Sequence, residues 1–223
     1  MSLEEFETEF EALTNSDDDD GLFDVPLDEN SFSINKTARF GLRFSFGDLE
    51  KDFADKVQKV LGICEEQGYL MVPYFGLRDP WEQARLWRQS RSTTVVNEAI
   101  AKLKSQGADF LAAVLRDVGP QGPDQRVTNA LPGYSWHQYG NAVDVYRSVG
   151  GAAAWSCDPH YKVYAETARD LGLTSGYFWS FKDCGHIQAA GPSSPGKMYS
   201  AKQINNLMVE KFGKSSERSP LTS

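Results

Sequence analysis

The chain has 223 residues, room for one medium domain with an extra segment; 40% hydrophobic residues supply a core, and 24% charged residues give no sign of global disorder. No apolar run approaches the ~18 residues of a membrane span. The start, Met1-Ser2-Leu3-Glu4-Glu5-Phe6, lacks the basic and apolar regions of a secretory signal, so signal-peptide export is not expected. The net charge of −8 is unevenly spread: residues 1–35 hold 12 of the 31 acidic residues and no Lys or Arg. That leaves 19 acids against 23 bases in residues 36–223, a net of +4, too weak to argue for a nucleic-acid partner. Cys64, Cys157 and Cys184 are too few and too scattered for a disulfide framework or a four-cysteine zinc site.

Taken in chain order, residues 1–35 read as an acidic segment. Ser2 and Glu5 form a capping-box pattern, and Leu3, Phe6, Phe10 and Leu13 follow at near-helical spacing. The segment is either a solvated tail or a short helix that docks on the body or a partner, and Asp17 to Asp20 repel one another as a linker does. The body is expected over 36–213, with a polar tail at 214–223. Phe40, Leu42, Phe44 and Phe46 alternate as a half-buried strand does, and Asp48 can cap a helix carrying Leu49, Phe53, Val57, Val60, Leu61 and Cys64. Tyr69 to Phe75 reads as a strand. Asp79-Pro80-Trp81-Glu82 is a helix start, with a cap, proline in the first turn and an acid closing the box. Helical spacing over about 94–117 breaks at Gly107; further helices are expected after Asp158-Pro159 and near 200–212. Helices and short strands do not alternate regularly, so the fold class is α+β, a small antiparallel sheet packed with helices.

Two of the three histidines, His137 and His186, sit in compact polar contexts, Ser135-Trp136-His137-Gln138-Tyr139-Gly140-Asn141-Ala142-Val143-Asp144 and Trp179-Ser180-Phe181-Lys182-Asp183-Cys184-Gly185-His186. Each pairs imidazole with carboxylate at close spacing, a donor set that suits zinc. Val143 to Tyr146 is strand-like and projects Asp144 to one face, and the turn holding His137 can fold back beside it. Ligands His137, Asp144 and His186 would leave a fourth tetrahedral position for water, the catalytic pattern of zinc. Asp183 is then the candidate general base. The third histidine, His160, lies in the first turn of an expected helix and reads as a bystander.

The segment through Asp144 resembles the S-x-H-x-x-G-x-A-x-D signature of the zinc peptidoglycan peptidases, which include D-alanyl-D-alanine carboxypeptidases and L-alanyl-D-glutamate endopeptidases of endolysin type. The second segment resembles their W-x-x-x-D-x-x-H element, and Gly76-Leu77-Arg78 with Glu82-Gln83 resembles an upstream G-x-R…E-Q element. The resemblance implies the Hedgehog/D-Ala-D-Ala-peptidase-like zinc fold, one zinc ion on His137, Asp144 and His186, and Asp183 as catalytic acid–base. It makes Arg78 a stabiliser of developing negative charge or a grip on a substrate carboxylate. Val127-Thr128-Asn129-Ala130 and the aspartate at 183 lean towards cleavage between L-Ala and D-Glu of a peptidoglycan stem peptide. The alternatives are a D-alanyl-D-alanine carboxypeptidase and an inactive zinc-bearing binding module. Ser135, Tyr139 and Trp179 are candidate substrate contacts, although Ser135 also suits a turn-capping role. Cys184 is read as a small filler or a reactive thiol. A monomer is expected, with a delivery or inhibitor partner for the acidic segment, and release to the wall or periplasm through a holin or secretion machine.

Overall fold

The computed structural model describes residues 44–122 and 128–213; the acidic segment, Phe40, Leu42 and Val127 lie outside them. The described residues form two compact units, 44–78 with 139–191, and 79–122 with 128–138 and 192–213. No helix among them is long and apolar enough to cross a membrane.

The first unit carries the sheet. Helix α1 (Lys51–Glu66) leads into β1 (Met71–Phe75). After the second unit's first stretch come β2 (Ala142–Val149), β3 (Ala152–Ala154), α5 (Pro159–Asp170), β4 (Leu173–Ser175) and β5 (His186–Ala189). The strands run in the order β1-β2-β5-β4, with β3 also on β2, and every pairing is antiparallel. Pro73 sits in β1, which pairs only with β2 among the described strands; a residue without an N–H is tolerated in such a strand. The stripe Phe53, Val57, Val60 and Cys64 of α1 meets Tyr161, Tyr164 and Ala168 of α5 and Val143, Val145 and Ile187 of the sheet in one buried cluster. Each such fully buried aliphatic or aromatic side chain contributes about 1.5–3 kcal/mol. Because side chains alternate along a strand, burying Val143 and Val145 against the helices turns Asp144 to the opposite face.

The second unit is helical: α2 (Pro80–Arg88), α3 (Thr93–Ser105), α4 (Asp109–Asp117) and α6 (Ala201–Phe212). Asp79 caps α2 by accepting from the Glu82 amide at 2.8 Å, with Pro80 in the first turn. Trp87, Leu103, Leu111, Leu115, Ile204 and Met208 are buried. The N-cap of α4, Ala108, has no side chain to offer. Instead Asn205 of α6 accepts from the amides of Phe110 (2.9 Å) and Leu111 (3.3 Å). Buried Gln83 donates to the Ala130 carbonyl at 2.8 Å, and Arg91 to the Thr128 carbonyl at 2.8 Å, so α2 and its exit hold the segment that leads to His137.

The α+β class, the break at Gly107 between α3 and α4, and the helices after Asp158 and Ser200 match the sequence reading. Three local features do not. Phe44 and Phe46 lie in no strand; Phe46 opens a 3-10 turn capped by Ser45, and the two rings pack edge-on at 4.8 Å against the core. Asp48 ends that turn and caps nothing, since α1 starts at Lys51 after Glu50. Cys184 is no isolated filler: it forms a disulfide with Cys157, 27 residues earlier.

Candidate metal centre

Asp144 and His186 face each other across the β2–β5 ladder as registered partners. Their side chains meet, His186 Nδ1 lying 2.9 Å from Asp144 Oδ1. The other ring nitrogen, Nε2, is 3.2 Å from Oε1 of Gln188, which is buried two residues further along β5. The Trp179 ring packs at 5.1 Å on the imidazole, and the Ser175 hydroxyl donates to the His186 carbonyl at 3.3 Å. His186 is thus held at its carbonyl, on its ring and at the far edge of that ring.

His137 lies in a 3-10 turn, Trp136–Tyr139, and is fully buried. Two side chains shape this turn. Gln138 Oε1 accepts from the Gly133 amide at 2.6 Å, and Ser135 Oγ accepts from the His137 amide at 3.4 Å. The turn ends at Gly140, whose φ of +76° suits glycine. A Cβ there would also stand 2.7 Å from the Asp48 carbonyl. That close approach lets the Glu50 amide donate to the Gly140 carbonyl at 2.9 Å.

One ligand atom from each of His137, Asp144 and His186 lies within 4.8 Å of the others, and all three residues are buried. Two imidazoles and a carboxylate are the donors zinc favours. The hydrogen bonding around His186 points the same way. If Nε2–H donates to Gln188 Oε1, Nδ1 presents a lone pair to a carboxylate oxygen 2.9 Å away. Two acceptors that close require a proton or a cation between them, and an outer amide that fixes the tautomer is the usual companion of a metal-binding histidine. The residues present therefore fit a zinc ion.

Arg78 is 1% exposed. Its Nη2 stands 3.6 Å from Asp144 Oδ2, and its guanidinium lies 4.6 Å over the Phe75 ring. Asp183 lines a cavity of about 180 Å³ together with Asp144, Trp155, Tyr161, Phe181 and the disulfide. Burial pushes the Tyr161 hydroxyl up to about 12. That hydroxyl donates to the Ala154 carbonyl at 2.7 Å and accepts from the Arg147 amide at 3.1 Å. Ser135 is buried behind the His137 turn, whereas Tyr139 and Trp179 are half-buried. His160 stays apart, 3.1 Å from Asp158 and edge-on to Tyr69. The sequence reading passed over Gln138 and Gln188. The available signal was polarity at positions flanked by buried strand or turn residues.

A buried trio of this composition is a metal centre of the kind zinc hydrolases use. The family model described as VanY, D-alanyl-D-alanine carboxypeptidase, matches residues 47–189, well over half of the chain. The chain belongs to that family and is a metallopeptidase of its type. Among solved structures it is similar to the L-Ala D-Glu endopeptidase ChiX of Serratia marcescens, at 17% identity, covering 69% of this chain and 88% of that one, with a TM-score of 0.35. It is also similar to the vancomycin-resistance D,D-pentapeptidase VanY in complex with zinc, at 16% identity, 76% and 87% coverage and a TM-score of 0.39. The LD-carboxypeptidase LdcB matches at 18% identity, 74% and 69% coverage and a TM-score of 0.41.

Proposed function

We propose that the protein is a zinc-dependent peptidoglycan hydrolase that cuts a stem-peptide bond, between L-Ala and D-Glu. The convergence of His137, Asp144 and His186 carries this reading, with one zinc ion held by the three. When bound, zinc supplies Lewis acidity towards a peptide carbonyl and eases deprotonation of water. Asp183, on the wall of the adjoining cavity, accepts the proton of the attacking water and returns it to the leaving amine. Arg78 works through Asp144, since a buried guanidinium 3.6 Å from that carboxylate orients its second oxygen. Gln188 and Trp179 hold His186 at the angle a ligand needs. A stem peptide reaches the centre along the cavity lined by Trp155 and Phe181. We further propose action at the cell wall after release of the chain from the cytoplasm. A D-alanyl-D-alanine carboxypeptidase is the second reading, favoured by the description of the matching family model. Mass spectrometry of purified peptidoglycan digested with and without a zinc chelator decides between them. Free L-Ala ends with chelator-sensitive release of the remaining stem support the first reading, loss of a single terminal D-Ala supports the second, and unchanged muropeptides would refute both.

A further inference from the structure

Asp183 sits in the connection between β4 and β5, where residues 179–185 have no regular secondary structure and Ser180, Phe181 and Lys182 are exposed. Backbone hydrogen bonds and ring contacts hold parts of this stretch: the Val145 amide donates to the Gly185 carbonyl at 3.0 Å, and Lys182 lies over the Tyr177 ring. The Asp183 amide donates to the Gly176 carbonyl at 3.0 Å, and the His186 amide to the Asp183 carbonyl at 3.3 Å. Gly185 lies so close to β2 that a Cβ would stand 2.4 Å from the Val145 carbonyl. A covalent tie adds to these, because Cys184, next in sequence to Asp183, is bonded to Cys157. Cys157 in turn adjoins Asp158, which caps α5 through the His160 and Tyr161 amides and pairs with Arg147 at 2.7 Å. The disulfide therefore ties the Asp183 segment to the anchored start of a core helix, and both sulfur-bearing residues line the same cavity as Asp183.

We propose that the Cys157–Cys184 disulfide is a positioning element for Asp183, so that rapid hydrolysis requires the oxidised chain. The inference rests on Asp183 being the general base. The bond forms by thiol–disulfide exchange with a small or protein disulfide as oxidant. The thiolate of solvent-exposed Cys157 attacks the oxidant and expels one thiol. The Cys184 thiolate then displaces the second from the mixed disulfide; two protons leave the cysteines and the oxidant takes up two electrons. A chain kept among reducing thiols is then slow, and becomes fast where disulfides persist.

The test uses the full zinc-loaded chain in three states: oxidised, reduced with tris(2-carboxyethyl)phosphine, and as the Cys157→Ser/Cys184→Ser variant. The phosphine yields two thiols while it takes oxygen from water. Reduction should lower kcat on the order of 100-fold, the penalty for a catalytic group displaced by about 1 Å. KM and bound zinc should not change, and oxidised glutathione should restore the rate. The double variant should be slow and indifferent to reductant. In an Asp183→Ala background reduction should cost nothing further, which a general loss of stability would not reproduce. An unchanged kcat on reduction, with Asp183→Ala inactive, overturns the proposal and leaves the base assignment standing. Loss of zinc on reduction also overturns it, because the bond would then be supporting His186. Normal turnover by Asp183→Ala would remove the base assignment and this inference together.

Discussion

Replacing Gln188 with Leu tests the centre through a residue that is not among the ligand trio. The side chain is 1% exposed, and Leu has a similar volume, so the change removes the acceptor 3.2 Å from His186 Nε2 with little change in packing. Two effects follow. The buried ring N–H loses its partner, which costs the fold about 1–3 kcal/mol. The imidazole also becomes free to carry its proton on Nδ1, the nitrogen facing Asp144, and zinc must then displace that proton. Loss of such an outer hydrogen bond typically weakens metal binding 10–100-fold, or about 1.4–2.7 kcal/mol. Competition against a chromogenic chelator at fixed pH would measure the affinity, and Gln188→Glu, which keeps an acceptor, should bind more tightly than Gln188→Leu. Wild-type zinc affinity in the Leu variant would refute the assignment of Nδ1 as the ligand atom.

Four further outcomes are expected. Asp183→Ala should keep its zinc by elemental analysis yet lose about 10²–10⁴-fold in turnover, whereas His137→Ala should lose metal and activity together. Gly140→Ala forces a side chain into φ +76° and to 2.7 Å from the Asp48 carbonyl, so urea denaturation should show a loss of about 2–4 kcal/mol. Burial works to raise Asp158, but the His160 amide, the Arg147 charge and the His160 ring outweigh it and hold the carboxyl below its usual value. Its charge therefore stabilises the fold above the unfolded value of ~3.9, and this is lost as pH falls through the folded one. The stability gap between wild type and Asp158→Asn should shrink from pH 7 to pH 3. Finally, burial pushes the Cys64 thiol up to about 11, so the oxidised native chain should resist iodoacetamide at pH 8 and take up one label after denaturation.

Much of this centre was legible from local patterns. Asp79-Pro80 and Asp158-Pro159 announce their helices because caps act within three residues, and His137, Asp144 and His186 stand out because carboxylate and imidazole recur beside turn-forming glycines. What escaped depends on distant partners. Nothing in the stretch between Cys157 and Cys184, 27 positions apart, signals that they meet; that follows from α5 and β5 packing into one layer pair. Strands β3 and β4 have three residues each, too few for an alternating pattern to register. The alternating phenylalanines ending at Phe46 mimic a strand, yet Ser45 captures the Gly47 amide and turns the backbone into a 3-10 helix. The resemblance marks Arg78 as functional but not its contact with Asp144, which arises because the registered pair Phe75–Asp144 brings its strand alongside the carboxylate.

The amide-to-amide reach of Asn205 has a bearing on how the molecule is made. Helix α4 is completed by a side chain 95 positions downstream of Phe110, and the helical unit is interrupted by the stretch that builds most of the sheet. During synthesis the first helices must wait, with the start of α4 unsealed, until residue 205 has left the ribosome. Translation therefore delivers the β-rich half in a state able to settle first, and a nascent chain arrested before residue 205 should be the form most readily degraded by proteases.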